Sequence, residues 1–575
     1  MAKANKVESY KLESNYLRGP VAEELASETL NVSEESYQLL KFSGLYQQDD
    51  RDQRKALREQ GLDRAWSFML RGKSSGGALS AKQYLVYDEL ADLYGNGTLR
   101  FTTRQAIQLH GIIKHDLKAT LQKIHEALLT SLGGCGDVSR NVMACPAPEA
   151  SRKQALLQDI AKDIDLHLMP RSGAYYELWI DGEKQKVADV PSTVYTQAVD
   201  EVEPIYGKTY LPRKFKIGIA FPEDNCVDVF TQDIGIVPVM LDDELKGYNL
   251  LVGGGMGMSH TDKDTFPRLG DRLGMVEPQQ LLAAVEGIVS IQRDYGNREN
   301  RKLSRMKYLL EDWGVERFKQ ELEVRVGFKL SPWFEVGEFK LDDHLGWREQ
   351  GDGRYYFGLP IENGRIKDDE NQGLRSAIRE ILRALGCEIR ISPQHNMLFI
   401  NLKAEDKDFI EAILRNYRVK TRDEISLARR YGMACPALPT CSLAVADAER
   451  ALPGVIEGLE PHLISLGLTQ DPISIRMTGC PNGCARPYTA ELAFVGQSLD
   501  LYKIYVGGSF EGTRLVSEYA EKVPRHALVD RVVPLLRYWK DHRNPQEKFG
   551  DFCHRIGIDT LITLNLNESA LALSL

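Results

Sequence analysis

The sequence predicts an α+β protein built from a duplicated unit, with two related halves around a central cleft. The first observation is an order of helix then strand, which occurs near residues 80–104 and again near 374–394. The second is the pentapeptide MACPA, which occurs at 143–147 and 433–437, at the same distance after each strand. Two copies predict a pseudo-twofold body, and ligands commonly bind in the cleft of such a body.

The first copy follows a polar segment of about 65 residues, rich in Glu, Ser, Gln, Asp and Arg, which we expect to wrap over the body as an arm. Ser80 and Gln83 have the spacing of a capping box, so a helix is predicted from there to Gly95. The segment LRFTTRQ follows and predicts a half-buried strand that carries Arg100 and Arg104.

The second copy shows the same order. Leu374, Ile378, Ile381 and Leu385 have helical spacing, Gly386 predicts the helix end, and CEIRIS alternates as a strand. The alignment continues along the chain, pairing LRFTTRQ with IRISPQH, KIGIAFPEDNC (216–226) with SIRMTGCPNGC (474–484), and VGG at 252–254 with VGG at 506–508.

Composition narrows the class of protein. A chain of 575 residues is too long for one core, which predicts several lobes. The net charge of −9 argues against a nucleic-acid partner. No apolar run of about 18 residues indicates a membrane span, and the first residues do not resemble a signal peptide, so we expect a cytoplasmic protein. Nine cysteines in this setting indicate reduced thiols or metal ligands.

Four of these cysteines form two pairs beside glycine and proline turns. Cys435 and Cys441 form C-x5-C, and Cys480 and Cys484 form C-x3-C. Four thiolates can hold a four-iron, four-sulfur cube. They could also hold a structural zinc ion, although zinc sites more often use C-x2-C or C-x4-C pairs, or they could be buried packing residues.

These pairs, with the segment TGCPNGCARPYTAELAFVG, resemble the signature of the sirohaem-dependent sulfite and nitrite reductases. The similarity extends over nearly the whole chain through ESNYLRG (13–19), YQQDDRD (46–52), LPRKFK (211–216), NLLVGGG (249–255) and FGDF (549–552). It implies paired ferredoxin-like halves and two α/β lobes around a central cofactor cleft. The implied domains are an arm (1–65), a first ferredoxin-like half (66–145), a first sirohaem- and anion-binding lobe (146–345), a second ferredoxin-like half (346–420), and an iron–sulfur and sirohaem-binding lobe (421–575).

The resemblance also implies the cofactors and their ligands. All four paired cysteines would hold a [4Fe-4S] cluster, and Cys484 would also be the axial ligand of the sirohaem iron. Without the resemblance, isolated basic residues are usually solvated surface charges, although Lys214 and Lys216 share one strand face at i, i+2. By resemblance, the residues around the substrate anion are Arg71, Arg140, Lys214 and Lys216. Those around the sirohaem are Arg100, Arg104, Gln108, Asn141, Arg305, Asn482 and Cys484.

The reaction implied is the six-electron reduction of sulfite to sulfide in sulfur assimilation. A nitrite reductase is the alternative within the family, and a noncatalytic scaffold held together by a metal is the alternative from another class. The glycine-rich LLVGGGMGMSH lacks the G-x-G-x-x-G register of a dinucleotide site, so the electron donor is expected to be a separate protein. The resemblance favours a diflavin NADPH reductase subunit as that donor, with ferredoxin as the alternative.

Overall fold

A computed structural model of the chain describes residues 5–150, 153–180 and 202–564. The helices are α1 (Lys6–Glu13), α2 (Val21–Ala26), α3 (Glu34–Leu40), α4 (Arg54–Glu59), α5 (Ala81–Leu93), α6 (Leu117–Glu126), α7 (Gln154–His167), α8 (Ala174–Trp179), α9 (Leu281–Tyr295), α10 (Met306–Trp313), α11 (Val315–Val326), α12 (Leu374–Leu385), α13 (Asp406–Asn416), α14 (Leu427–Arg430), α15 (Leu452–Ser465), α16 (Leu528–His542) and α17 (Phe549–Ile556).

The strands form four five-stranded sheets. They are β1 (Leu45–Asp49), β2 (Trp66–Arg71), β3 (Ala78–Leu79), β4 (Leu99–Phe101), β5 (Ile107–Ile112), β6 (Met143–Ala144), β7 (Ile217–Ile219), β8 (Ile234–Leu241), β9 (Glu244–Val252), β10 (Asp271–Val276), β11 (Gly346–Glu349), β12 (Tyr355–Leu359), β13 (Arg365–Ile366), β14 (Ile389–Ile391), β15 (Met397–Leu402), β16 (Gly432–Ala434), β17 (Ile475–Thr478), β18 (Leu492–Ser498), β19 (Leu501–Val506) and β20 (Ser517–Pro524).

The predicted duplication is confirmed by the sheets. Two sheets are antiparallel throughout, with orders β1-β2-β5-β4-β13 and β11-β12-β15-β14-β3. The other two, β10-β9-β8-β7-β6 and β20-β19-β18-β17-β16, each have two antiparallel pairings followed by two parallel pairings. The chain is therefore an α+β protein with two copies of each sheet type.

The two antiparallel sheets exchange a short strand. β3 comes from the first half but pairs with β14 of the second half, and β13 comes from the second half but pairs with β4 of the first. Helices α5 and α12 also pack against each other across this junction, where Arg375 donates to Asp88 at 2.6 Å. Each half therefore contributes backbone to the other, which fixes the cleft between them.

The predicted starts and ends of the repeated helices are confirmed. Ser80 and Gln83 make the reciprocal bonds of a capping box at the start of α5. Gly386 ends α12 with a left-handed φ of 60°. The prediction that Arg104 lies on a strand is wrong, because β4 ends at Phe101 and Arg104 occupies the turn before β5. Strand β1 lies within the predicted arm and pairs with β2.

The described residues form two large hydrophobic cores, and the second includes Cys435. One runs through both antiparallel sheets and the first mixed sheet, and the other fills the lobe built on β16 to β20. Within the described ranges, no helix is both long enough and apolar enough to cross a membrane.

Candidate active site

The four predicted ligand cysteines lie in two neighbouring loops. Cys435 and Cys441 follow β16, and Cys480 and Cys484 follow β17. β16 and β17 are adjacent and parallel, so both loops leave the same edge of the sheet. Burial, and then the nearby Cys484 and Cys480, raise the pKa of the Cys435 thiol well above its ordinary value. The structure therefore brings the two cysteine pairs together, and the assignment of these four residues as the cluster ligands stays a prediction.

The four sulfur atoms are not gathered as tightly as the ligands of a single metal ion. Among the described residues, they do not form a set within 4.8 Å of one another, whereas the thiolates of a single zinc ion lie closer together than those of a four-iron cube. Two donors already face the sulfurs: the Gly479 backbone N–H donates to Cys435 Sγ at 3.4 Å, and Asn482 Nδ2 donates to Cys480 Sγ at 3.4 Å. Such donors stabilise thiolates that ligate iron.

Glycines allow the cysteine loops to pack tightly. A Cβ atom on Gly479 would lie 2.4 Å from the carbonyl oxygen of Ala446. Gly483 has a φ of +64°, and a Cβ atom there would lie 2.9 Å from the carbonyl oxygen of Met256. Only glycine accommodates both the close approach and the left-handed backbone.

Two distant segments cover the cysteine loops. The glycine-rich segment 252–258 meets the second loop, where the Met258 N–H donates to the carbonyl of Pro481 at 3.0 Å. The arm meets the first loop through Arg51, which donates from its side chain to the Cys441 carbonyl at 3.3 Å and from its backbone to the Pro439 carbonyl at 3.3 Å. The glycine-rich segment thus packs its backbone closely against the second cysteine loop.

Three of the predicted anion-binding residues, Arg71, Lys214 and Lys216, lie close enough to Cys484 for its charge to raise their pKa values, and the Cys484 side chain is exposed. Lys214 and Lys216 flank Phe215, which is buried and bridges to Ser139, so both lysines face away from that core. Burial and the neighbouring Arg213 lower the pKa of Lys214 to about 7, while Cys484 acts in the opposite direction. Burial alone would lower the pKa of Arg71, but Cys135, Tyr46 and Cys484 raise it.

Arg140, Arg104 and Arg305 extend this basic cluster. Arg140 donates to the carbonyls of Gly136 at 2.8 Å and Gly134 at 3.2 Å, and its charge contributes to the lowered pKa of Lys214. Burial and Arg140 lower the pKa of Arg104 to about 9, and the Nε atom of Arg104 has no hydrogen-bond partner among the described residues.

Arg305 forms a buried ion pair with Asp233 at 2.8 Å. Asp233 also accepts a bond from the Lys216 backbone N–H at 2.8 Å. The carboxylate thus joins Arg305 to the strand segment that presents Lys214 and Lys216.

Three other predicted cofactor contacts are occupied by protein partners. Arg100 is buried, pairs with Glu449 at 2.8 Å and donates to the Ala434 carbonyl just before Cys435. Gln108, with its amide oxygen turned to Arg71, accepts bonds of 3.1 and 2.7 Å from that guanidinium. The amide of Asn141 bonds the backbone of Ser74 and Arg104. These contacts position the cleft, and direct binding of sirohaem by the three residues stays a prediction.

Two further basic residues, Lys307 and Arg213, belong to the same basic cluster but were not predicted from the sequence. Lys307 is fully buried, donates to the carbonyls of Gly255 at 3.2 Å and Gly257 at 2.6 Å, and has a pKa lowered to about 7 by burial and Arg305. Arg213 adjoins Lys214 in LPRKFK and has a pKa lowered to about 10 by burial and Arg301. The density of Lys and Arg around both positions was the available signal.

The chemistry of this cleft fits a polyanionic group beside an iron–sulfur cluster. Lys214, Lys216 and Lys307 all have lowered pKa values, chiefly because of burial, and other cations around them add to the effect. Anionic carboxylates offset such a concentration of buried positive charge. The duplicated fold and this site define a class of redox protein, in which a cysteine-held cluster opens onto an anion-binding cleft.

Comparison with known proteins agrees with this class. The family model described as "Nitrite and sulphite reductase 4Fe-4S domain" matches residues 135–330 and 428–570. The model described as "Nitrite/Sulfite reductase ferredoxin-like half domain" matches residues 64–127 and 348–417. The chain belongs to the nitrite and sulfite reductase family, and it is an oxidoreductase with a [4Fe-4S] cluster. This membership sets aside the noncatalytic scaffold.

Individual relatives cover nearly the whole chain. A protein named sulfite reductase [ferredoxin] from Synechococcus elongatus is 46% identical over 97% of this chain and 90% of its own length. One named sulfite reductase [NADPH] hemoprotein beta-component from a Paenibacillus species is 44% identical over 98% of this chain and 97% of its own length. The solved structure of Mycobacterium tuberculosis NirA, 22% identical, covers 97% of both chains with a TM-score of 0.77 and shares the fold.

Proposed function

We propose that the chain is the haemoprotein component of an assimilatory sulfite reductase, which reduces sulfite to sulfide with six electrons. The observation that carries the proposal is the electrostatic proximity of Arg71, Lys214 and Lys216 to the exposed Cys484, one of the four paired cysteines. A small oxyanion needs such cations where it binds. Relatives named sulfite reductase, with either of two donors, support the choice of sulfite.

The residues present fit both expected cofactors. Cys435, Cys441, Cys480 and Cys484 would hold the cluster, and Cys484 would in addition ligate the sirohaem iron. Sirohaem coupled to the cluster supplies low-potential electrons to the substrate. Its carboxylates would be neutralised by buried basic residues, among them Arg104, Arg305 and Lys307.

The substrate anion would be held by Arg71, Arg140, Lys214 and Lys216. Arg71 and Arg140 carry permanent positive charge and orient the oxygens, and Gln108 fixes the guanidinium of Arg71. Lys214 has a pKa of about 7, set by burial and Arg213, so near neutral pH it can donate a proton from Nζ to an oxygen that leaves as water. Lys216 would contribute binding and a second proton donor when an anion raises its pKa.

The test is reduction of sulfite by the cofactor-loaded protein with a reduced viologen dye, in parallel with nitrite. Sulfide formed in stoichiometric amount, with sulfite preferred in kcat/KM, is the expected result. Preferential formation of ammonia from nitrite would assign the chain to the other branch of its family. Failure to reduce either anion, with both cofactors verified by absorption and iron analysis, would refute the proposed function.

Electrons would come from a separate protein, and a diflavin NADPH reductase subunit is the partner we propose, with ferredoxin as the alternative. The two names occur at 44% and 46% identity, so identity alone does not separate them. Sulfite turnover with NADPH and the diflavin subunit, compared with turnover with reduced ferredoxin, decides between them. A cytoplasmic location is part of the proposal, and it is consistent with nine cysteines that are all free.

A further inference from the structure

A second set of potential metal ligands lies in the first half of the molecule. Cys145 follows β6, Asp224 and Cys226 lie in the loop after β7, and His344 precedes β11. All four side chains are 0% exposed. The sequence repeat aligns Cys145 with Cys435 and Cys226 with Cys484, so this set occupies the pseudo-twofold counterpart of the cluster-binding loops.

The ligand atoms of these four residues all lie within 4.8 Å of one another. Cys145 Sγ lies 2.7 Å from Asp224 Oδ2 and 3.6 Å from His344 Nε2, and the latter two atoms are 2.8 Å apart. A tetrahedral zinc ion with bonds of about 2.0–2.3 Å holds its ligand atoms about 3.3–3.8 Å apart. Shifts of under about 1 Å in these side chains would therefore produce that geometry.

We propose that Cys145, Asp224, Cys226 and His344 bind one zinc ion. Two thiolates, one imidazole and one carboxylate are ligands that zinc takes in a closed four-coordinate structural site. Two cysteines cannot supply the four thiolates of a [4Fe-4S] cluster, so the first half cannot repeat the chemistry of the second. Zinc binding replaces the two thiol protons, and that of the imidazole where it is charged, and releases them to solvent.

The residues around the set are arranged as supports for metal ligands. Asp224 Oδ1 accepts from the Asp342 N–H at 3.3 Å, which leaves Oδ2 facing the thiols and the imidazole. The His344 backbone N–H donates to Asp342 Oδ1 at 3.1 Å. Among the described residues, His344 Nδ1 has no hydrogen-bond partner although it is fully buried. Ligation of a metal through Nδ1 would give this atom a partner, whereas ligation through Nε2, which faces Asp224 and Cys145, would leave it as it is.

His344 also has an unusual backbone. Its φ is 56°, and a Cβ atom on the facing Gly358 would lie 1.9 Å from the His344 carbonyl oxygen. A non-glycine residue in the left-handed region is held there by its surroundings. A zinc ion would tie this segment to the loops after β6 and β7, and so join the first mixed sheet to the second antiparallel sheet.

The test uses the holoenzyme, purified without chelators from zinc-supplemented cells, and does not depend on which anion is reduced. Elemental analysis should give one zinc per chain in addition to iron. X-ray absorption at the zinc edge should show two sulfur neighbours at about 2.3 Å and two nitrogen or oxygen neighbours at about 2.0–2.2 Å. Absence of zinc, or zinc without sulfur neighbours, would overturn the proposal, and neither measurement requires a variant to fold.

Substitution of the proposed ligands tests where the zinc ion binds. The double substitution Cys145→Ser and Cys226→Ser should lower the affinity for zinc by more than about tenfold, because changing even a supporting residue costs that much, so zinc per chain should fall well below one. Cys553→Ser is the matched control, because that thiol is free and buried in the other lobe, and its zinc content should be unchanged. Zinc retained by the double variant would also overturn the proposal.

Discussion

The hydrogen bond from Asn482 to Cys480 allows a quantitative prediction about the cluster. Asn482 Nδ2 lies 3.4 Å from Cys480 Sγ, and Asn482→Ala removes this donor without removing a cluster ligand. A hydrogen bond to a charged group contributes about 1.5–3 kcal/mol, and only its increase on reduction affects the potential. We take that increase as about 1 kcal/mol for a partly exposed donor, which corresponds to about 40 mV for one electron.

The sign follows from charge. The reduced cluster is more negative and accepts the bond more strongly, so its loss should shift the midpoint potential of the cluster about 40 mV lower. A redox titration followed by electron paramagnetic resonance measures the shift. Asn482→Asp is the control for direction, because an added negative charge should lower the potential further. An unchanged potential in the alanine variant, with cluster content verified, would refute the assignment of Asn482 as a donor to the cluster.

Four further predictions concern the cleft and its supports. Lys214→Met and Lys216→Met should each lower sulfite turnover about 100-fold, which is the scale for loss of one preorganised donor. The Soret band should be unchanged, and wild-type kinetics in either variant would remove that lysine from the mechanism. Cys484→Ser should abolish the coupled centre, and retained wild-type spectra would exclude Cys484 as the shared ligand. Because burial and Arg213 lower the pKa of Lys214 to about 7, its positive charge is lost as pH rises through that value, so KM for sulfite should increase above pH 7. The Lys214→Arg variant stays charged, so its KM should not rise above pH 7. This comparison separates the titration of Lys214 from the titration of sulfite itself. Glu449→Ala leaves Arg100 buried without its carboxylate and should lower the free energy of unfolding by about 3–5 kcal/mol, measured by urea unfolding against Glu457→Ala on α15.

The repeat and the position of the cysteine loops could be predicted because both correspond to local sequence motifs. The identical MACPA segments and the aligned strands at 217–219 and 475–478 fix where the parallel pairs fall in both lobes. Cys480 and Cys484 follow the strand at 475–478, and Cys435 and Cys441 follow its parallel neighbour β16. The capping box at Ser80 and the glycine at 386 fix the ends of two helices through local hydrogen bonding and backbone freedom alone.

The turn at Arg104 could not be predicted for an equally physical reason. Gln105 has a φ of 55°, and the equivalent His395 has a φ of 73°, although neither is a residue type that marks a turn. Gln105 is held there by bonds from its side chain to the carbonyls of Gly76, Ala144 and Ile391, which come from three separate segments. Tertiary contacts therefore determine this conformation.

The exchange of strands β3 and β13 between the halves could not be predicted from the sequence, for a related reason. β3 and β13 have two residues each, too few for an alternating pattern, and their partners lie in the opposite half. The contacts of Arg100 and Asn141 likewise depend on chain segments that are distant in sequence. Basic residue types indicated an anion-binding cleft, but only the fold separates those that face Cys484 from those that support it.

Accessibility explains how one duplicated framework could yield two kinds of metal centre. In both lobes the candidate cysteine ligands follow the carboxyl ends of two parallel strands, so the scaffold presents them in the same place. A redox centre must exchange electrons with a group in the cleft, and Cys484 is exposed there beside Lys214 and Arg71. The counterpart Cys226 is 0% exposed and covered by His344, which suits an ion that never changes oxidation state. Exposing Cys226 would therefore not create a second reaction site, because the first lobe lacks the third and fourth thiolates that a cluster requires.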